Sequence, residues 1–241
     1  MRLLNELVPQ VQGRPAVILG GAPSLPHDLA QLNLNDAVYF SANHHGAMIR
    51  ECDYIVYVDP QHQVTGENMQ KKMSAFGLPT ISPVFGCDYR MPNWNAARFL
   101  GNSGMHAIWA AVLLGANPII VTGMECYQGG VYWHDETAAS SSAGRKQSFF
   151  DFRLLHLKLL CRGANVRAVT PSMQRHFKKY DPTETIRAST ARVLKPEVAE
   201  PMRVKTPFRM GKTNFRVGDT IYMTAAERAR YRINIKVTHG R

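Results

Sequence analysis

The chain lacks any apolar run long enough to cross a membrane. Its longest runs, such as residues 107–114, fall well short of the ~20 residues a spanning helix needs. Residues 1–10 hold no uninterrupted apolar region of the kind a secretory leader requires. Cysteine is sparse: Cys52, Cys87, Cys126 and Cys161 are scattered without paired metal spacing, and read as reduced core thiols of a cytoplasmic protein. There is no HExxH and no internal repeat, and the turn from Gly20 to Ser24 has neither the Gly-Lys-Ser/Thr of a phosphate loop nor a G-x-G-x-x-G. Acidic residues are in deficit, 18 Asp and Glu against 29 Lys and Arg. The imbalance is local: residues 187–241 hold thirteen Lys and Arg against four Asp and Glu, a net +9 of the chain's +11, leaving +2 for residues 1–186. A partner for that basic tail would be nucleic acid, a phosphate-rich surface, an acidic protein or a viral protein; a solvated appendage fits the same composition.

What is present is an α/β pattern. A length of 241 residues suits one such domain with a smaller appendage, and 45% apolar with 20% charged residues marks a globular chain. Residues 100–135 organise the rest. Asn102-Ser103-Gly104 is a capping sequence with Ser103 as the predicted N-cap. The following helix, 105–114, has no polar face and should be buried on most sides; Gly115 stops it. Residues 118–122 then read as a central parallel strand. Ligands of such sheets sit at the carboxyl ends of strands and at helix N-termini, which points to the loops ending at Gly104 and starting at Gly123.

Further strands are predicted at 16–19, 37–41, 54–58, 80–84 and 165–169, with helices at 68–76 and 149–161 and a short amphipathic helix laid over the sheet at 1–8. Residues 86–95 read as an irregular loop, and 137–148 as a lid or a solvated loop. Three early strands each run into a polar cluster: Gly20-Gly21-Ala22-Pro23-Ser24, Asn43-His44-His45-Gly46 and Asp59-Pro60-Gln61-His62. His44, His45 and His62 invite a reading as metal ligands, but without a metal-ligand spacing they are taken as ordinary loop histidines. The predicted fold is α/β: a Rossmann-like, mostly parallel sheet with helices on both faces over residues 1–180. A linker, 181–201, then joins a small basic β-rich module, 202–241, with strands at 202–208, 214–223 and 233–237 and a capping box at Thr224–Glu227.

Two segments together resemble the bacterial sialyltransferases that use CMP-sialic acid and the related 6-hydroxymethylpterin diphosphokinase-like proteins. The first is Ala16-Val-Ile-Leu-Gly-Gly-Ala-Pro-Ser-Leu25, followed by Ala42-Asn43; the second is Asn102-Ser103-Gly104, the apolar helix, Gly115 and Ile119-Ile-Val-Thr-Gly-Met-Glu-Cys-Tyr-Gln128. The resemblance spans about residues 16–172. It implies nucleotide binding by Gly20, Gly21, Ser24, Asn43, Ser103 and Gly104, and stabilisation of the departing phosphate by Tyr127 and Tyr132. Phenolic O–H groups can do this without a metal, so no cofactor is required beyond a nucleotide-activated, CMP-sugar-type donor as substrate. Either tyrosine can equally be a half-buried loop aromatic.

Two departures bear on activity. Gly21 stands where the resembling proteins usually carry Asn, and the histidine they place before the 149–161 helix is replaced by Gly144-Arg145-Lys146-Gln147. Arginine cannot serve as a general base near neutral pH, so His134, with Asp135 beside it, is the substitute candidate. The tail segments 203–208, 215–219 and 224–227 resemble small modules that end some bacteriophage proteins. Two functions follow: a glycosyltransferase-like enzyme using a nucleotide donor, or a non-catalytic bacteriophage virion or assembly protein docking through its basic tail. The location implied is the cytoplasm, or the virion of a phage.

Overall fold

A computed structural model describes residues 2–34, 36–61, 67–83, 86–92, 100–125, 132–134 and 147–184, together with four short strands between residues 200 and 223. Nine strands form one sheet: β1 (Arg2–Leu3), β2 (Ala16–Leu19), β3 (Val38–Ala42), β4 (Tyr54–Val56), β5 (Thr80–Ser82), β6 (Tyr89–Arg90), β7 (Ile119–Thr122), β8 (Val166–Ala168) and β9 (Lys178–Lys179). Their order is β1-β6-β5-β4-β3-β2-β7-β8-β9, and every pairing is parallel. The central strand β2 carries β3 on one side and β7 on the other, with Ala16 opposite both Val38 and Ile119. From β2 the chain first builds outward through β3, β4, β5 and β6, then returns to add β7, β8 and β9 on the opposite flank. That reversal is the topological switch at which open α/β sheets hold ligands.

Alternation along β2 shows how both faces are covered. Ala16 and Ile18 join the large core under α4 (Ser103–Leu113), while Val17 and Leu19 pack with Leu25 of α2 (Leu25–Ala30) on the other face. All eleven residues of α4 are buried, as its lack of a polar face predicts. Remaining helices are α1 (Val8–Val11), α3 (Met69–Ser74) and α5 (Gln147–Leu160). The fold is therefore a parallel sheet with helices on both faces, Rossmann-like in plan. Among the described residues no helix is long and apolar enough to cross a membrane. Cys52, Cys87 and Cys161 are buried thiols, and burial pushes those of Cys52 and Cys161 up to about 12.

Several boundaries move for identifiable reasons. Residues 1–8 are not one helix: β1 pairs with β6, a 3-10 turn covers Leu4–Leu7, and α1 starts afresh with Pro9 in its first turn. Proline has no N–H to continue a preceding turn, so the segment breaks there. The stretch predicted as an irregular loop contains β6, where Asp88 accepts from both the backbone N–H and the hydroxyl of Thr80 at 2.8 Å. In the tail, β10 (Glu200–Arg203) pairs antiparallel with β13 (Thr220–Met223), and β11 (Phe208–Met210) with β12 (Thr213–Phe215). The predicted strand at 233–237 and the Thr224–Glu227 box lie outside the described residues.

Candidate functional site at the sheet's carboxyl edge

The N-cap of α4 is Asn102, not Ser103. The Asn102 side chain accepts the Met105 N–H at 2.8 Å, and the backbone carbonyl of the same residue accepts from the His106 ring at 2.8 Å. Ser103, one position inside, is thereby released from capping, and its hydroxyl donates to Asn43 Oδ1 at 2.8 Å across 60 residues of sequence. Asn43 follows β3 in the left-handed conformation, φ 53°, which asparagine tolerates better than most residues. Its N–H still donates to the Val56 carbonyl, so the turn begins directly off the sheet.

The loop after β3 is wound around Ser41, fully buried at the end of that strand. Its hydroxyl donates to the Asn43 carbonyl at 2.7 Å and accepts from the N–H groups of Gly46 and Ala47 at 2.9 and 3.0 Å. This fixes His44 and His45 at the sheet edge. His134, from the segment 132–134, meets them there: His45 Nδ1 and His134 Nε2 lie 2.9 Å apart. Tyr132 stacks on the His45 ring with centroids 4.1 Å apart and runs nearly parallel to His134, at 6°. Two bonds from Trp133 tie this segment down, N–H to the Gly21 carbonyl at 3.0 Å and Nε1–H to the His45 carbonyl at 3.1 Å. Tyr132 is half-buried, and desolvation raises its phenol, so the O–H stays available as a donor.

The glycines of the first loop are explained by close approach. A Cβ on Gly20 would lie 2.0 Å from the Gly123 carbonyl oxygen, so the loops after β2 and β7 cross backbone to backbone. A Cβ on Gly21 would lie 2.9 Å from ring atoms of both His45 and Tyr132. The departure at Gly21 thus has a physical reason: the space an asparagine would take is filled by the aromatic cluster. Gly104 likewise sits under Met124, whose Cε would be 2.7 Å from a Cβ there.

Of the residues singled out from sequence, Gly20, Gly21, Asn43, Tyr132 and His134 lie on the loops at this edge, and Ser103 and Gly104 open α4 beside them. Ser24 instead turns toward its own helix, 3.5 Å from Asp28 Oδ2. Tyr127, Asp135 and residues 137–146 lie outside the described residues. Sequence reasoning missed Ser41, Asp28, Thr170 and Arg153. Asp28, 1% exposed, accepts from the Gly123 N–H at 2.8 Å and from the Thr170 hydroxyl, anchoring the loop after β7. Arg153 of α5 lays its guanidinium where a Cβ of Gly101 would be, which brings a fixed positive charge beside the loop leading into α4. Only Asp28 left a usable trace, a lone acid on the buried side of a short helix.

No family model, curated protein or solved structure matches this chain. The arrangement itself offers hydroxyl and amide groups at Ser103 and Asn43, a guanidinium at Arg153, a phenol at Tyr132 and imidazoles at His44, His45 and His134. Such a set can bind an anion and move a proton.

Proposed function

We propose that the carboxyl edge of β2, β3 and β7 binds a nucleotide-activated donor of the CMP-sugar type, and that the protein is a glycosyltransferase-like enzyme related to the bacterial sialyltransferases. The observation carrying this reading is the Ser103–Asn43 hydrogen bond at the switch point, which joins the α4 N-terminus to the loop after β3. Support comes from the backbone crossing of Gly20 with Gly123 and from the guanidinium of Arg153 at Gly101. Tyr132 would donate to charge developing on the leaving phosphate. His134, whose Nε2 lies 2.9 Å from His45 Nδ1, would take the acceptor proton.

Calorimetry of the full chain with CMP and other pyrimidine nucleotides tests the reading before any acceptor is known. Ser103→Ala should weaken binding by about 1 kcal/mol through a lost neutral hydrogen bond. Asn43→Gly, which keeps the left-handed backbone accessible, should do the same. Tyr132→Phe should spare binding and slow donor turnover. Absence of binding by every nucleotide would reject the enzyme. The basic tail, with +9 in residues 187–241, would then favour the second reading, a bacteriophage virion or assembly protein docking through that tail.

A further inference from the structure

We propose that His44, His45 and His134 form a binding site for one divalent late first-row cation of the zinc class. One ring nitrogen from each of the three lies within 4.8 Å of the others. Metal–nitrogen bonds of about 2.0–2.1 Å at tetrahedral angles would set ligand nitrogens about 3.3 Å apart. His45 and His134 are already at 2.9 Å, so only ring rotations of His44 and small adjustments of the other two separate this arrangement from a chelate. Three imidazoles with no thiolate among the described members select zinc, cobalt, nickel or copper over magnesium or calcium. Three protein ligands also leave a fourth position open, as in zinc sites that admit a water or substrate.

The cluster is built rather than incidental. His44 and His45 are adjacent on a loop clamped by Ser41, while His134 arrives from 89 residues beyond His45 on a segment pinned by both Trp133 bonds. Gly21 leaves room for His45, and Tyr132 caps its ring face. The His44 and His45 centroids are 4.5 Å apart, and those of His44 and His134 are 5.6 Å apart. Sequence inspection could not assemble the set, because adjacent histidines have no recognised spacing and the third lies in another loop.

The inference goes beyond the nucleotide reading and does not depend on it, and with the cation bound His134 is a ligand and no longer the proton acceptor; cation binding is read on the full chain without nucleotide, so either can fail alone. Zn²⁺ titration in competition with a chromophoric chelator should give one saturable equivalent, and excess Mg²⁺ should not displace it. His44→Ala, His45→Gln and His134→Ala should each weaken Zn²⁺ at least about 10-fold, the loss that even residues supporting a ligand produce. His27→Ala, on the exposed end of α2, should change nothing. Co²⁺ should develop the visible absorption of a four- or five-coordinate ion, absent in His134→Ala. If the His45 variant does not fold, the half-exposed His134 carries the test. No saturable equivalent, or variants that bind as tightly as the unaltered chain, would overturn the site.

Discussion

At Gly20 any side chain meets backbone, the Gly123 carbonyl 2.0 Å away, whereas at Gly21 it meets the rings of His45 and Tyr132 at 2.9 Å. Backbone in a buried crossing cannot move without disturbing β2 and β7, but a half-buried ring can turn aside. Gly20→Ala should therefore cost about 3 kcal/mol or more in denaturant unfolding. Gly21→Ala should cost about 1 kcal/mol yet displace Tyr132 and alter the near-ultraviolet dichroism. Equal losses of stability would show that the two contacts do not differ in this way. The same residues mark what sequence can and cannot convey at this scale. Both glycines were legible as a tight strand–helix turn, because their position after an apolar strand implies it. What they make room for was not, since Gly123, Tyr132 and His134 lie about a hundred residues away and nothing local announces them. His45 in particular reads as an ordinary loop residue until the segment at 132–134 is laid upon it.

Among the elements, α4 was the most legible, since eleven buried residues in succession leave only one way to place it. Its cap was misread by one position because Asn102 and Ser103 have equal capping chemistry and adjacent places; only the Ser103–Asn43 bond separates them. Replacing each should separate their roles. Asn102→Ala removes the acceptor for the Met105 N–H and should lower stability by about 1 kcal/mol in thermal unfolding. Ser103→Ala should leave stability closer to that of the unaltered chain and act on ligand binding instead. A reversed order would return the cap to Ser103. The strands β1 and β6 were invisible for a different reason. Each is two residues long and is specified by pairing, with Arg2 opposite Tyr89 and Leu3 opposite Arg90, so neither has enough residues to show an alternation. In α5 the helical spacing was legible, but Phe152, Leu155 and Leu159 are exposed, so periodicity alone did not identify which apolar face is inward.

For the whole molecule, the strand order places the switch beside β2, while most of the net charge belongs to residues 187–241 of the sequence. Interactions of the sheet continue as far as Glu184: Tyr180 is buried and accepts the Asn33 N–H at 3.3 Å through its hydroxyl, and Glu184 pairs with Arg167 at 2.6 Å. The nine strands of the sheet are complete by Lys179. A chain ending at residue 184 should accordingly fold and melt within a few degrees of the full chain, as expected for loss of a region outside the core. It should also keep the Zn²⁺ and nucleotide responses argued above, because His44, His45, His134, Asn43 and Ser103 are all retained. What it should lose is polyanion binding. The removed region carries nearly all the net charge, and with nucleic acid as the probe, affinity of the full chain should fall steeply as salt rises through counterion release. A salt-independent association would make the tail an apolar protein-binding surface instead. An insoluble or unfolded truncation would show that the sheet and the basic module form one cooperative unit.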